Sequence, residues 1–311
     1  MPEDRGPLGS IVPTRPGHKR RAALEKLTRA PRSFRKRVRN PSLARSVRES
    51  LRPFLDAVWP PSCFLCAAGA PDSFACEAHE FSEGLVGARC GRCAVRLAAG
   101  WPHGAPCLRC RTRPPAFARV VALADYDSHN GLRPWILALK HGRRPDLARP
   151  LGTRLAHAAR ASGLAAGSPR GPRSADLRDA GTAGRRSRAP WLVPVPIHPL
   201  RRLDRGHDQA LGLARILSCG LGLPVARPAR RIRNTPPQGT PGPASRSSNV
   251  RGAFAVRRRF LRGLAARDIW IVDDVMTSGS TAHELARVLR DRGAGRVGVL
   301  VLARAPLPDG F

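Results

Sequence analysis

From Phe117 onward, apolar residues come in short runs that alternate with helix-spaced stripes. Val120–Ala124 is a run of strand type that ends at Asp125-Tyr126-Asp127. Leu132, Trp135, Ile136 and Leu139 then recur at helical spacing, which predicts an amphipathic helix over Leu132–Lys140. Further along, the pattern predicts a helix over Leu147–Ala161, a buried strand over Trp191–Pro196 and a helix over Gln209–Leu217. Strands are expected at Ile269–Val272 and Val297–Leu302. Between those two lies a helical stripe of Ala282, Leu285, Ala286, Val288 and Leu289, closed by Gly293. Strands alternating with helices predict an α/β domain: a mostly parallel sheet with helices on both faces. Ligands of such sheets bind beyond the carboxyl ends of the strands.

The stretch from Ile269 to Thr281 stands at one such end. An apolar strand runs into Asp273 and Asp274, then into the small, hydroxyl-rich turn Thr277-Ser278-Gly279-Ser280-Thr281 before the next helix. A loop of backbone N–H groups that opens a helix attracts anions, because unpaired amides and the helix dipole point at one place. Carboxylates beside such a cradle suit a sugar phosphate, with the acids accepting ribose hydroxyls and the loop holding the 5-phosphate. An ordinary strand–turn–helix with acids as caps is the alternative. The stretch resembles the phosphoribosyl-pyrophosphate signature of type I phosphoribosyltransferases, with Ser278 and Ser280 where Thr and Ala are common.

Cysteine spacing adds a separate module. Seven of the eight cysteines lie within residues 63–110. They fall into two sets in chain order: Cys63, Cys66, Cys76 and His79, then Cys90, Cys93, Cys107 and Cys110. Repeated C-x-x-C knuckles, one of them C-x-x-H, predict two tetrahedral zinc sites. Disulfides and a redox dithiol are the alternatives. Sites with four protein ligands leave no open position, so these zincs are expected to be structural. Cys219 stands apart and is expected to be a packed thiol.

Charge changes the picture at the ends of these modules. The net charge of +33 is almost all arginine, since only Lys19, Lys26, Lys36 and Lys140 are lysines. Such a field attracts nucleic acid, phosphorylated metabolites or anionic membranes. Residues 1–48 form a basic, Pro-containing extension expected to be mostly disordered. That arm reads as a nucleic-acid or membrane arm, as a passive tail, or as the product of a start codon placed too far upstream. A second low-complexity stretch, 162–189, reads as an inserted loop. The expected organisation is therefore 1–48 extension, 49–113 double zinc ribbon, and 114–311 α/β domain carrying the insert. No run is apolar enough for a transmembrane helix and no apolar leader is visible, so a cytoplasmic location is expected.

Three more segments complete a resemblance. They are Tyr126–Arg143, Pro194–Ala210 with its Arg201-Arg202-Leu203-Asp204-Arg205-Gly206 core, and Arg231–Gln238 followed by Arg246–Phe254. Together with the double ribbon and the terminal signature, they make the chain similar to the ComF/GntX family of phosphoribosyltransferase-like proteins. His207-Asp208, where the family usually has Phe-Asn, and the C-x-x-H knuckle are departures. The resemblance implies a type I phosphoribosyltransferase-like fold that binds phosphoribosyl pyrophosphate or a nucleotide. Within that reading, Asp273 and Asp274 hold the ribose and stabilise positive charge at its C1, while Thr277, Ser278, Gly279, Ser280 and Thr281 hold the 5-phosphate. Arg201, Arg202, Arg205 and Lys140 are candidates for the diphosphate, and Arg231, Arg233 and Gln238 belong to a candidate lid. Mg2+ would come bridged mainly by the ligand. The resemblance further implies competence and DNA uptake, or nucleotide salvage, with single-stranded DNA and DNA-uptake or recombination proteins as candidate partners. Two classes stay open: a transferase of unknown acceptor, and a non-catalytic nucleotide-sensing, DNA-associated or partner-binding adaptor.

Overall fold

The computed structural model describes residues 62–70, 75–81, 83–85, 87–102, 104–126, 132–142, 144–164, 189–198, 206–233 and 250–306. The basic arm, all but the ends of the insert, the Arg201, Arg202 and Arg205 segment, and Gln238 lie outside the described residues.

Four strands form one parallel sheet: β1 (Arg119–Asp125), β2 (Trp191–Pro194), β5 (Ile269–Met276) and β6 (Val297–Arg304), in the order β1-β6-β5-β2. The small strands β3 (Ala229–Arg231) and β4 (Phe254–Val256) pair antiparallel as a separate ribbon. The helices are α1 (Leu108–Thr112), α2 (Leu132–His141), α3 (Ala148–Ala161), α4 (Gln209–Leu221), α5 (Leu261–Leu264) and α6 (Ser280–Arg290). None of the helices among the described residues is long and apolar enough to cross a membrane.

The apolar runs are continuous because both faces of the sheet are covered. Alternate residues face opposite ways along a strand. Trp270, Val272, Leu300 and Leu302 pack with Leu132 and Trp135 of α2, Leu151 and Leu155 of α3, and Leu213 and Leu217 of α4. Ile269, Ile271, Val297, Val299 and Val301 pack on the other face with Leu285 and Leu289 of α6. The cysteine-rich region divides in the same way. Cys63 and Phe81 join the first core, whereas Cys90, Cys93, Cys107 and Cys110 join the second. Each metal-ligand set is thus seated against one face of the same sheet.

Several elements run past their expected limits, β6 among them, which ends at Arg304 rather than Leu302. Strand β5 continues through both aspartates to Met276, because β6 keeps pairing with it through Val275↔Ala303 and Met276↔Arg304. Helix α4 continues through Gly220 to Leu221. That glycine serves a close approach, since a Cβ on it would lie 2.8 Å from the Cβ of Ala156 on α3. Cys219, expected to be packed, is exposed on the outer side of α4, because the buried stripe on the other side runs through Leu213, Leu217 and Leu221.

Candidate functional site

The carboxyl ends of β5 and β6 gather the chemistry. Asp274 is buried, with 7% of its surface exposed, and its Oδ1 lies 3.2 Å from Lys140 Nζ at the end of α2. Lys140 is held there by its helix terminus: His207 Nε2 contacts the Leu139 carbonyl at 2.7 Å, and Gln209 Nε2 donates to the Lys140 carbonyl at 3.2 Å. Asp208, between them, caps α4 by accepting the Leu211 N–H at 3.0 Å. The His207-Asp208 departure therefore has a local structural role at the junction of α2 and α4.

Asp273 lies beside Asp274 on the same strand, and its Oδ1 accepts the Asp274 N–H at 2.9 Å. Burial, reinforced by the neighbouring Asp274 carboxylate, pushes Asp273 up to about 7, although Lys140 pulls the other way. Two acids this close do not both ionise readily, so the pair carries less negative charge near neutral pH than its composition suggests.

The turn that follows is shaped by Gly279, which sits at φ 76° immediately before α6. Left-handed backbone of this kind favours glycine, and a Cβ there would come within 2.5 Å of Met276 Cε. Ser278 Oγ and Ser280 Oγ lie 3.0 Å apart across the turn, and Ser278 Oγ also accepts the Ser280 N–H at 3.4 Å. Thr277, Ser278 and Thr281 are partly exposed, as is Ser280. The eleven-residue helix α6 begins at Ser280, so its dipole points into this turn.

Arg231 and Arg233, expected in a lid, stand on and just after β3; the Arg231 guanidinium lies 5.6 Å from the Phe254 ring centre on β4. The lid expectation thus falls on a hairpin whose connecting residues 234–249 are outside the described residues. Its far end is fixed by a residue the sequence did not single out. Glu284 on α6, only 5% exposed, accepts the Gly252 N–H at 2.8 Å and pairs with Arg287 at 2.8 Å.

Both cysteine sets form compact clusters. In Cys63, Cys66, Cys76 and His79, and in Cys90, Cys93, Cys107 and Cys110, all ligand atoms lie within 4.8 Å of one another. Cys66 and Cys76 sulfurs are 3.6 Å apart, Cys93 and Cys107 sulfurs 3.9 Å, and Cys76 Sγ is 3.3 Å from His79 Nδ1. A tetrahedral zinc with Zn–S bonds of about 2.3 Å needs sulfurs about 3.8 Å apart. The clusters match that spacing, while a disulfide requires sulfurs at about 2.05 Å, and all eight cysteines are free. Both sets can therefore hold a zinc ion. The thiols already compete for negative charge: hydrogen bonds from Cys110 and Cys93 hold Cys90 far below the usual thiol range.

The second cluster is clasped to the sheet at two points. Asp125, at the end of β1, pairs with Arg89 just before Cys90, and with Arg96 at 2.9 Å. Arg304, the last residue of β6, is 2% exposed and donates from Nε to the Cys93 carbonyl at 2.8 Å. Its Nη1 donates to the carbonyls of Met276 at 3.1 Å, Thr277 at 2.7 Å and Ala305. Neither Asp125 nor Arg304 carries a sequence signal, since each reads as the polar end of an apolar run.

An all-parallel α/β core with an acid pair at a strand end, built against two four-ligand cysteine clusters, defines the class. No family model matches the chain. DNA utilization protein YhgH of Escherichia coli K12 is 33% identical over 204 residues, covering 64% of this chain and 78% of that protein. Competence protein F of Haemophilus influenzae is 33% identical over 118 residues, 37% of this chain and 50% of that one. The chain belongs to the ComF family. Among solved structures, glutamine phosphoribosylpyrophosphate amidotransferase from B. subtilis, complexed with ADP and GMP, aligns with a TM-score of 0.31 and 18% identity. That alignment covers 53% of this chain and 30% of the amidotransferase.

Proposed function

We propose that the end of β5 binds the phosphoribosyl group of phosphoribosyl pyrophosphate or of a nucleotide. The observation that carries this reading is the succession, within eight residues, of Asp273, Asp274, the left-handed Gly279 and the start of α6. The Thr277–Thr281 turn offers amides and hydroxyls to the 5-phosphate, and the acids accept the ribose hydroxyls. In a transfer reaction the positive charge that develops at the ribose C1 would be stabilised by the ionised form of Asp273. Magnesium fits this site only as a companion of the ligand. Asp274 is already paired with Lys140 and Asp273 resists ionisation, so the two acids make a poor all-protein cage. An ion bound to the ligand's diphosphate would neutralise the leaving group. The two cysteine clusters act as structural zinc sites, each complete with four protein ligands.

The names of the relatives support a role in DNA utilization or competence. A feature of this chain supports the same direction. Residues 209–267 contain twelve arginines and no Asp or Glu. Among them, burial and the charges of Arg259, Arg227 and Arg230 lower the Arg257 pKa. Like charges crowded along β3, β4 and the turn after β4 call for an anionic partner, and the phosphates of single-stranded DNA meet that need. A second reading keeps the ligand but not the turnover: Lys140 already neutralises Asp274, which suits a sensor that binds and holds a nucleotide. Thermal-shift titration with phosphoribosyl pyrophosphate and nucleotides, with and without Mg2+, tests the binding claim. Release of diphosphate with a panel of acceptors then separates transferase from sensor.

A further inference from the structure

Arg304 is an unusual side chain for its position. It closes a strand in which every residue is buried, and an arginine is almost never found fully buried without a partner. Here the partners are four backbone carbonyls, and none of the ion pairs among the described residues supplies it with a carboxylate. One of those carbonyls, that of Cys93, belongs to the second metal cluster; two others, of Met276 and Thr277, belong to the segment that enters the turn.

Peptide geometry turns this contact into an orientation. In a trans peptide the C=O of one residue and the N–H of the next point in opposite directions, and no described peptide is cis. With the Met276 and Thr277 carbonyls drawn to the guanidinium, the N–H groups of Thr277 and Ser278 face away from it. Those are the first amides of the proposed phosphate cradle. The guanidinium therefore sets which way the loop presents its donors.

Charge supplies the second half of the link. A buried guanidinium is favoured by negative charge nearby, and the bond from Arg304 Nε to the Cys93 carbonyl seats it beside the second cluster. A zinc ion held by four thiolates carries a net negative charge and offers that charge permanently. The same knuckle is also fixed to β1 through Asp125, and Arg304 is the side chain that carries its hold on to the loop.

We propose that Arg304 is a positioning residue that couples the Cys90, Cys93, Cys107 and Cys110 metal centre to the affinity of the Thr277–Thr281 loop for phosphorylated ligand. The inference rests on the phosphoribosyl-site reading and goes beyond it by making zinc occupancy part of ligand binding. Coupling between two binding events is reciprocal, so ligand must also steady the zinc.

The test uses the zinc-loaded full chain, phosphoribosyl pyrophosphate with Mg2+ as the probe, and a coloured chelator that reports zinc release. In the unmodified protein, ligand slows one of the two zinc-release phases several-fold. In Arg304→Gln, ligand affinity falls at least tenfold, the slowing disappears and zinc content stays at the unmodified value; Arg304→Lys recovers part of the affinity. If phosphoribosyl pyrophosphate binds but leaves both zinc-release phases unchanged, the coupling is refuted while the site reading stands. If the unmodified protein binds no phosphoribosyl pyrophosphate, the site reading itself falls and the coupling with it. The zinc-release arm needs no variant, so poor folding of Arg304→Gln leaves the proposal decidable.

Discussion

Lys140 Nζ lies 3.2 Å from Asp274 Oδ1, joining the last turn of α2 to the acid pair at the end of β5. The pair crosses from the helix layer to the sheet, and both side chains are largely shielded from water. Removing the lysine leaves a shielded carboxylate without its cation. Lys140→Met is expected to cost about 2 kcal/mol or more, in the direction set by an orphaned buried charge. Urea unfolding at pH 8 measures the effect, and adding Asp274→Asn should restore much of the stability.

Asp273 gives the fold a pH signature. Its folded-state value of about 7 lies above the ordinary 3.8. The folded protein then holds a proton that the unfolded chain has already released, so this group lowers stability as pH rises from about 4 to about 7. Asn at this position carries no such penalty. Thermal midpoints of Asp273→Asn and the parent should therefore agree below about pH 4, diverge in favour of the variant up to about pH 7, and stay parallel above it. Parallel curves across the whole range would show that Asp273 titrates normally.

Gly279 tests the shape of the turn. Its φ of 76° and the nearness of Met276 Cε make any side chain strained. Gly279→Ala should cost about 1–2 kcal/mol in stability from the left-handed backbone alone. Ligand affinity should fall with it, and Met276→Ala should relieve the steric part but not the backbone part.

Metal content separates the two clusters. Elemental analysis of the protein purified without chelator should find one zinc for each of the two four-ligand sets. Cys107→Ser should remove one and Cys66→Ser the other, with unfolding at lower temperature in each case.

Much of this arrangement is legible in the chain because periodicity and spacing carry it. The stripe of Leu132, Trp135, Ile136 and Leu139 becomes the buried face of α2, and the knuckle spacing gives the two clusters as grouped. What is not legible depends on partners distant in sequence. Asp273 and Asp274 look like the end of a strand, yet β6 extends pairing beyond them. Gly220 looks like a helix stop, yet Ala156 on α3 requires a small residue there. The β3–β4 pair is too short for any alternation to register. Arg304 looks like a solvent-facing end and is instead the link between a knuckle and a loop.

The arginine-rich surface predicts how binding to nucleic acid depends on salt. Replacing Arg227, Arg230, Arg257 and Arg259 with Ala should weaken binding to a labelled single strand. Its salt dependence should flatten by about 0.7 in log–log slope for each DNA phosphate that is no longer neutralised. An unchanged slope would move the anionic partner elsewhere on the molecule.

Calorimetric titration of phosphoribosyl pyrophosphate with Mg2+ into the unmodified protein and into Asp273→Asn/Asp274→Asn measures whether the acid pair at the end of β5 holds the ligand. Saturable binding at one site per chain is expected, weakened at least tenfold in the double variant while its fold is kept. Equal affinity in the two proteins, or no heat of binding in either, would contradict that role of the acid pair.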